Sequence, residues 1–417
     1  MVDFSIRSHG PDYRITSHIE AFPPGKPSRF TIIGGGVIGC SIARELKNQD
    51  PTSEVLVLEK EPVLGQHQSG RNSGVVHSGI NQKPETLKAK LAVEGNKMIH
   101  DFCKTHKVPL EPVGTLVIAR NRTEEQVLQL IYDWGTQVGV PDLEIVDRKK
   151  IQDLEPFAAG DTALHSPTGA IIDSVGFLRA VALNARDNGV QFFKNAQIEG
   201  ITPTKVKTNR GEFDPGHVIN TAGLYSDKIA HMMGVGREYQ IIPFRGDYME
   251  IVGLSIQSMV YPAPNLKYPF LGVHFTRSLD GTVKAGPTAT LSFGRESYRK
   301  EVKIKESFDM LVSQNFWKMA LSREFLMLAR QNIMVSVFPR IFLKEMQSLT
   351  TQKIHLRDIK PYRSGIRAQI VDNSGNMVNE FIVKYSQNRT NVINAISPGF
   401  TSSLAFAKRV VSRILSQ

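Results

Sequence analysis

The sequence predicts an α/β protein with two domains, and three observations support this fold class. Residues 30–33 form a short apolar strand that runs into glycines with the spacing G-x-G-x-x-G. A second apolar strand, residues 54–58, ends on Glu59, and an apolar helical face lies between the two strands. Residues 241–286 contain extended segments typical of an antiparallel sheet. A chain of 417 residues is also too long for one compact core.

The first strand, turn and helix form a Rossmann-like unit that can hold a dinucleotide. Its glycines permit a tight turn, let backbone N–H groups approach a pyrophosphate, and let the helix pack closely on the strand. The helix N-terminus then faces the phosphate. The residues predicted to make these contacts are Gly34, Gly36, Val37, Ile38 and Gly39.

The residues after the second strand favour FAD over NAD(P) as the dinucleotide. Glu59 lies where an acid hydrogen-bonds a ribose hydroxyl, and Lys60 follows it. Residues 65–80 are a second run rich in glycines and small polar residues, where an NAD-linked domain normally continues with a helix and a strand. Such a run can line the path from the pyrophosphate to a flavin ring. The candidate contacts in it are Ser69, Gly70, Asn72, Ser73 and Gly74.

Periodicity and turn residues predict the elements that follow. In chain order they are a helix over residues 84–106, a strand over 114–119, helices over 123–138 and 175–187, and strands over 191–193, 205–208 and 217–221. The last strand leads into Ala222 and Gly223, small residues that let the backbone pass close to a cofactor. Antiparallel strands are predicted at 248–252, 270–276 and 282–285, and such a sheet can floor a small-substrate pocket.

The C-terminal part of the chain returns to the nucleotide-binding domain, which makes that domain discontinuous. Gly365 lies on a returning strand, and a closing helix is predicted over residues 402–415, whose first amides can stabilise negative charge on a reduced flavin. The turn before this helix adds the candidate cofactor contacts Pro398, Gly399, Thr401 and Ser402. We therefore expect an N-terminal extension over residues 1–29, an FAD-binding domain over 30–110, 160–235 and 360–417, and an antiparallel-sheet α+β substrate-binding domain over 111–159 and 236–359.

Composition restricts the compartment and the partners. Only Cys40 and Cys103 are present, so we expect no disulfide framework and a reducing interior. No run of about 18 apolar residues predicts a membrane span. The net charge is +11, but the sequence contains no nucleic-acid-binding motif, so we expect no nucleic-acid partner. We expect no metal site either.

Two segments bear on location without deciding it. Residues 295–360 carry thirteen Lys or Arg and seven Asp or Glu, interleaved with aromatic side chains. Such helices can make peripheral contact with an anionic membrane, or they can cover one face of the second domain with a solvated basic surface. Residues 1–29 partly match a mitochondrial targeting segment, although Asp3, Asp12 and Glu20 interrupt it.

Five strings in the chain carry a resemblance to a known family. They are GRNSGVVHSGI at 70–80, TAGLYSD at 221–227, PFRGDY at 243–248, YPFLGVHFT at 268–276 and SPGFTSS at 397–403. With them the chain resembles the L-2-hydroxyglutarate dehydrogenases, which belong to the FAD-dependent amino-acid-oxidase-like superfamily. The resemblance implies oxidation of L-2-hydroxyglutarate to 2-oxoglutarate with tightly held FAD. It also implies electron transfer to a quinone or another respiratory acceptor, and an inner-membrane-associated location in mitochondria if the chain is eukaryotic. In a bacterium it implies the cytoplasm or the inner-membrane face.

The chemistry of a 2-hydroxy acid identifies candidate catalytic residues. Hydride transfer from Cα to flavin N5 requires that the hydroxyl proton leave, so a base must lie within hydrogen-bond reach. A neutral amine can lose hydride without such a base. The candidates are His77, in the flavin-lining segment, and His274, on the predicted sheet. The alternative for each is a packed structural histidine.

A dicarboxylate substrate carries two negative charges, so its pocket should supply Arg or Lys side chains. Arg245, between extended segments, and Arg367, on the returning strand, fit this role. Tyr261, Tyr268 and Lys284 can add hydroxyl groups or a positive charge.

Two other functions stay open, because the fold alone does not fix the substrate. One is oxidation of amino acids, sarcosine-like amines or glycerol 3-phosphate on the same fold. The other is a non-catalytic, flavin-binding interaction protein.

Overall fold

The computed structural model describes residues 30–266 and 272–416. Its strands are β1 (Phe30–Ile33), β2 (Val55–Leu58), β3 (Val75–Val76), β4 (Leu110–Pro112), β5 (Thr115–Ala119), β6 (Glu144–Asp147), β7 (Thr162–Ser166), β8 (Ala170–Ile172), β9 (Gln191–Phe193), β10 (Ile198–Ile201), β11 (Val206–Thr208), β12 (Gly211–Phe213), β13 (His217–Asn220), β14 (Gln240–Ile251), β15 (Met259–Pro262), β16 (His274–Arg277), β17 (Val283–Gly286), β18 (Thr290–Leu291), β19 (Ile359–Val371), β20 (Ile382–Ser386) and β21 (Arg389–Asn394). Its helices are α1 (Val37–Gln49), α2 (Leu87–His106), α3 (Arg122–Gln137), α4 (Arg148–Leu154), α5 (Ser174–Asp187), α6 (Ser226–Met232), α7 (Ile304–Leu311), α8 (Gln314–Ala320), α9 (Arg323–Val337), α10 (Pro339–Gln347) and α11 (Ser403–Leu415).

The first sheet has six strands in the order β20-β21-β13-β1-β2-β9. Neighbours run parallel except β20, which is antiparallel to β21. Every residue of β1 and β2 is buried, as expected for parallel strands covered on both faces. Helices α1, α2, α5 and α11 contribute Leu46, Ile99, Phe177 and Phe406 to the apolar core on this sheet. The sheet therefore joins the two ends of the described chain.

The larger sheet is mostly antiparallel and has the order β18-β14-β17-β16-β15-β5-β7-β6, with β19 also paired to β14. Its core includes Val260 and Phe275, which pack with Phe342 and Met346 of α10. At the other end, Phe244 packs with apolar residues of α7, α8 and α9. Helices α7–α10 thus complete the core of this sheet.

Two segments that the sequence assigned to the FAD-binding domain pair in the larger sheet instead. Strand β7 pairs with β5 and β6, and β19 pairs with β14 along most of its length. The local pattern of a short strand does not determine which sheet it joins, because its ladder partners lie far away in sequence. We therefore propose that residues 162–166 and 359–371 belong to the substrate-binding domain.

Most predicted elements are present, with shifted ends. The strand predicted at 248–252 is the end of β14, which begins at Gln240, and the strand predicted at 270–276 is described from His274. The predicted extension over residues 1–29 and Tyr268 lie outside the described residues. Both cysteines are buried, and burial raises the pKa of Cys103 to about 12 and that of Cys40 further, which makes both thiols inert.

A buried ion pair connects the two sheets beside the turn that follows β13. Arg295 donates to both carboxylate oxygens of Asp227, at 2.6 and 2.8 Å, and to the carbonyl of Leu224. Asp227 also accepts the backbone N–H of Ile241 on β14. In a bidentate ion pair whose groups make further hydrogen bonds, these interactions offset the free-energy cost of removing two charges from water.

Among the described residues, no single helix is both long enough and apolar enough to cross a membrane. Helices α9 and α10 satisfy the length and composition criteria only together, and they are bent by 97° at their junction.

Candidate active site

One cavity of about 1150 Å³ is lined by residues of both sheets. We call the part lined by Gly36 and Glu59 the nucleotide end, and the part lined by His77, His274 and Arg367 the histidine end. Pockets for ordinary small ligands are about 300–1,000 Å³. This cavity therefore has room for a large cofactor together with a small substrate.

Most of the residues predicted from the sequence line this cavity. They are Gly34, Gly36, Val37, Ile38, Glu59, Lys60, Ser69, Asn72, Ser73, His77, Ala222, Gly223, Arg245, Tyr261, His274, Gly365, Arg367, Pro398, Gly399 and Thr401. Five described residues of the prediction are not among those that line it: Gly39, Gly70, Gly74, Lys284 and Ser402.

The nucleotide end is built by the turn between β1 and α1. Gly34 has a φ of +106°, and a Cβ on Gly39 would lie 2.0 Å from the Gly34 carbonyl oxygen, so both positions require glycine. A Cβ on Gly36 would meet only the Ser69 hydroxyl, at 3.1 Å, and would otherwise enter the cavity. The backbone at Gly36 is therefore open to a ligand.

The acid at the end of β2 is held by backbone groups. Glu59 accepts the N–H of Gly35 at 2.7 Å on one oxygen and the N–H of Glu61 at 2.9 Å on the other. Each oxygen keeps a free lone pair for a ligand hydroxyl. The Ser69 hydroxyl accepts the Val37 N–H at 2.9 Å, which ties the second glycine-rich run to the helix N-terminus.

A polar cluster closes one side of the nucleotide end. Lys60 pairs with Glu61 and with Glu296, the latter at 2.6 Å. Nε2 of His67 lies 2.9 Å from Nζ of Lys60 and 2.9 Å from a carboxylate oxygen of Glu61. The other nitrogen of His67 lies 2.7 Å from the hydroxyl of Tyr298. Lys60 is thus paired with two carboxylates of the chain.

The turn before α11 supports the histidine end. The hydroxyl of Thr401 accepts the backbone N–H of His77 at 3.0 Å, and Asn96 of α2 donates to the His77 carbonyl at 3.1 Å. A Cβ on Gly399 would lie 2.4 Å from the Ala395 carbonyl, so this turn also requires glycine. The backbone of His77 is thus fixed by two distant segments.

The two histidines are neighbours, and both are neutral at physiological pH. Burial lowers the pKa of His77 to about 4, with His274 contributing, and burial lowers the pKa of His274 to about 4 as well. Nδ1 of His274 lies 2.8 Å from the carbonyl of Gly272 and must donate to it. Its Nε2 is therefore a hydrogen-bond acceptor, and its ring packs 4.2 Å from that of Tyr261.

The side chains of Arg245 and Arg367 project from the paired strands β14 and β19 toward opposite faces of the sheet. The register of β14 and β19 places Arg245 opposite Ile366 and Phe244 opposite Arg367, and successive residues of a strand point to opposite faces. Arg245 pairs with Asp247 at 2.5 Å and donates to the Ser364 hydroxyl at 3.2 Å. Its Nε and Nη1 are buried without a partner among the described residues. Arg245 thus has a counter-ion, yet it keeps unused donors at Nε and Nη1.

Arg367 lies on the same side as the tyrosines of the histidine end. Burial lowers its pKa to about 10, and the nearby Tyr248 opposes this shift. Burial also raises the pKa of Tyr248 to about 12, and its hydroxyl interacts with Ser73.

Lys284 has a different position from the one predicted. It is 6% exposed and donates to the carbonyl of Ser73 at 2.8 Å, so its ammonium connects β17 to the second glycine-rich run instead of lining the cavity. The reason is the pleat of β17, which turns this side chain toward the loop.

Sequence reasoning missed two polar residues of the histidine end, Tyr248 and Lys88. Lys88, in the first turn of α2, lines the cavity and is 4% exposed. The sequence does contain an indication of Lys88. This lysine shares a helical face with Leu91, Gly95 and Ile99, all of them buried, so a charged residue lies within an apolar stripe of the helix.

Comparison with known proteins assigns the family. A model of the FAD-dependent oxidoreductase family matches residues 29–413. The L-2-hydroxyglutarate dehydrogenase of Indibacter alkaliphilus is 33% identical over 395 residues, which cover 91% of this chain and 96% of that protein. The mitochondrial L-2-hydroxyglutarate dehydrogenase of Mus musculus is 34% identical over 91% of this chain and 86% of that protein. The chain belongs to the L-2-hydroxyglutarate dehydrogenase family.

Solved structures share the fold of this L-2-hydroxyglutarate dehydrogenase family member. The FAD-bound L-α-glycerophosphate oxidase of Mycoplasma pneumoniae has a TM-score of 0.74 at 24% identity, with 94% of this chain and 95% of that chain covered. A glycine oxidase from Geobacillus kaustophilus has a TM-score of 0.68 at 17% identity, with 93% and 95% covered. The predicted Rossmann-like FAD-binding fold is thereby confirmed.

FAD is the cofactor of this dehydrogenase family, and the residues of the nucleotide end fit it. The open backbone at Gly36 leaves the space that a pyrophosphate needs, at the N-terminus of α1. The free lone pairs of Glu59 suit ribose hydroxyls. The cavity then extends past Ser73 to the histidines, the direction in which a flavin would lie.

Proposed function

We propose that this protein oxidises L-2-hydroxyglutarate to 2-oxoglutarate with FAD. The single observation that carries the proposal is the composition of the histidine end, where two neutral histidines lie in the same cavity as the buried cationic side chains of Arg367 and Lys88. A hydroxy diacid needs a proton acceptor for its hydroxyl and cations for its two carboxylates, whereas a neutral amine can lose hydride without such an acceptor. The names of the relatives agree with this proposal.

When bound, FAD would accept the two electrons released from the substrate carbon. The chain supplies the proton acceptor. Nε2 of His274 is a free acceptor whose ring is oriented by the Gly272 carbonyl, and His77 is its neighbour. Arrival of a dianion favours the protonated form of either imidazole, so the pKa of about 4 in the ligand-free protein rises on substrate binding.

The cationic groups have a separate role in binding. We assign Arg367 to a substrate carboxylate because it is buried in the cavity beside the tyrosines and histidines. Arg245 also lines the cavity and keeps unused donors at Nε and Nη1, although Asp247 already balances its charge. Removal of water from these groups strengthens their interaction with a carboxylate.

Anaerobic spectroscopy of the purified yellow protein tests this proposal. Addition of L-2-hydroxyglutarate should bleach the flavin absorbance, and the D enantiomer and L-glutamate serve as matched controls. Bleaching only by amino acids or other amines would replace the proposal with amine oxidation. If no tested hydroxy acid or amine bleached a protein that retained FAD, a non-catalytic role would replace it.

We further propose that electrons leave to a quinone or another membrane-associated acceptor, and that α7–α10 contact the membrane surface. These helices and the short turns between them expose many apolar side chains, among them Ile304, which is 83% exposed, and Leu321, which is 71% exposed. Other exposed apolar members are Phe308, Val312, Trp317, Leu326, Met327, Ile333, Val337 and Phe338. Basic side chains of the same segment would face anionic lipid. In a eukaryote we propose a mitochondrial location, as the name of the Mus musculus relative states for that protein.

Vesicle flotation tests the membrane contact. We expect the wild-type protein to float with vesicles that contain cardiolipin, and we expect a variant carrying Ile304→Glu and Leu321→Glu to bind about fivefold less, because two apolar side chains are lost from the interface. Val252→Glu is a matched control, since Val252 is also exposed but lies outside α7–α10. Equal recovery of both variants with the vesicles would contradict the assignment.

A further inference from the structure

A lysine at the start of α2 has no structural reason to be charged and buried. Lys88 is 4% exposed, and its Nζ has one hydrogen-bond partner among the described residues, the side-chain oxygen of Asn379 at 2.9 Å. It makes no ion pair with a described carboxylate, although Glu380 attracts it from farther away. An ammonium group can donate three hydrogen bonds, so two of its donors are unused.

The helix itself disfavours a cation at this position. Lys88 is the second residue of α2, whose N-terminus carries the positive end of the helix dipole and has no acidic residue in its first turn. The N-cap Thr86 already accepts the N–H of Ala89, so the helix needs no help from Lys88. The cationic Arg367 is a further repulsive neighbour. An isolated ammonium in such surroundings is costly unless an anion compensates it.

The neighbours of Lys88 define its place along the cavity. The ring of His274 packs on that of Tyr261, and Tyr248 is within electrostatic range of Tyr261 and of Arg367. Arg367 is in turn within electrostatic range of Lys88, which links Lys88 to the histidines through this series of neighbours. Both Arg367 and Lys88 line the same cavity.

We propose that Lys88, positioned by Asn379, binds the distal carboxylate of the substrate and thereby determines the preference for a diacid over a monoacid. The inference rests on the proposed function. In a 2-hydroxy diacid, the first carboxylate is attached to the carbon that carries the hydroxyl, so it must lie near the proton acceptor, where Arg367 is found. The second carboxylate lies farther along the chain, which is the position of Lys88 relative to Arg367.

Substrate discrimination tests the proposal. With Lys88→Met, we expect kcat/KM for L-2-hydroxyglutarate to fall about 100-fold, mainly through KM, since a buried charged hydrogen-bond donor is lost. For L-2-hydroxypentanoate, which has the same carbon chain but no distal carboxylate, kcat/KM should stay within about twofold. Lys90→Met is the matched control, because Lys90 belongs to the same helix but is exposed.

Two further measurements separate binding from folding and turnover. Binding of glutarate, followed by titration calorimetry of the FAD-loaded protein, should weaken strongly in Lys88→Met and in Lys88→Gln and largely recover in Lys88→Arg. Lys88→Gln keeps a hydrogen-bond donor toward Asn379, so it supplies a folded charge-free variant if Lys88→Met fails to fold.

The outcomes are distinguishable from those of the proposed function. If the wild-type flavin is not bleached by L-2-hydroxyglutarate, the proposed reaction is wrong, whereas glutarate binding still tests Lys88. Equal losses for the diacid and the monoacid would overturn the distal assignment. Unchanged glutarate affinity in Lys88→Gln would overturn any role of Lys88 in anion binding.

Discussion

The two ends of the cavity differ in how their charged groups are compensated. At the nucleotide end, Glu59 is satisfied by two backbone N–H groups and Lys60 by two carboxylates. At the histidine end, Lys88 is buried and has no ion pair with a described carboxylate, and it lies near Arg367 and near histidines that burial keeps neutral. The charged groups named at the nucleotide end therefore have hydrogen-bond or ion-pair partners within the chain, whereas the histidine end contains a buried ammonium that an anionic ligand would neutralise.

The strongest way to sharpen this comparison is to change the histidines. We expect His274→Gln and His77→Gln to slow flavin reduction by L-2-hydroxyglutarate, by about 1,000-fold for the residue that takes the proton. FAD content should stay unchanged, because the nucleotide end is untouched. Stopped-flow reduction and the absorbance ratio at 450 and about 280 nm measure the two effects. Unchanged reduction rates in both variants would remove the proton-acceptor role.

The two arginines provide an internal contrast between a cation assigned to the substrate and a cation paired with Asp247. Arg367→Met should lower kcat/KM by about 100-fold, because a substrate carboxylate loses its buried partner. Arg245→Met should instead destabilise the fold by about 2 kcal/mol, because Asp247 loses its partner.

Urea unfolding and steady-state kinetics of the two variants measure this contrast. An unchanged kcat/KM in Arg367→Met would remove Arg367 from the substrate-carboxylate site. An unchanged free energy of unfolding in Arg245→Met would contradict the structural role of its pair with Asp247.

A change of pH should have a smaller effect on kcat/KM. Burial lowers the pKa of Lys88 to about 8, so the ammonium is lost as pH rises through 8, and kcat/KM for the diacid should fall by up to about tenfold per pH unit. The charged groups that face Lys88 are Arg367 and Glu380. Between about pH 8 and the ordinary lysine pKa of about 10.4, the unfolded chain binds more protons, so this residue makes the free energy of unfolding rise with pH.

Lys88→Arg is the control for the pH experiment, because a guanidinium keeps its charge over this range. Its kcat/KM should lack the decline above pH 8. If the decline persists in Lys88→Arg, another group is responsible, and Lys284, whose pKa burial also lowers to about 8, would be the candidate.

The sequence alone could predict the nucleotide end because that end is local. A strand, three glycines and a helix occur within residues 30–49, and the acid follows at Glu59. The chemistry of these glycines does not depend on distant partners. The fold class and the cofactor could therefore be predicted from the sequence, and the comparisons with known proteins confirm both.

The histidine end could not be predicted to the same depth, because its geometry depends on strand register. Whether Arg245 and Arg367 share a face is decided by the pairing of β14 with β19, more than 100 residues apart in the chain. The same applies to Lys284, which the sheet directs at Ser73. Lys88 was accessible in principle, since a lysine on an apolar helical stripe is a local signal.

Helix α11 has a consequence for biosynthesis. It packs on α1 and α2 within one core, and β21 pairs beside β13, so residues 30–49 and residues 389–415 complete the same sheet although they lie far apart in sequence. A chain still emerging from the ribosome lacks this part of the sheet and its cover until residues 389–415 have left the exit tunnel. Flavin capture should therefore wait for these residues, and deletion of residues 403–415, which removes α11, should yield a colourless protein.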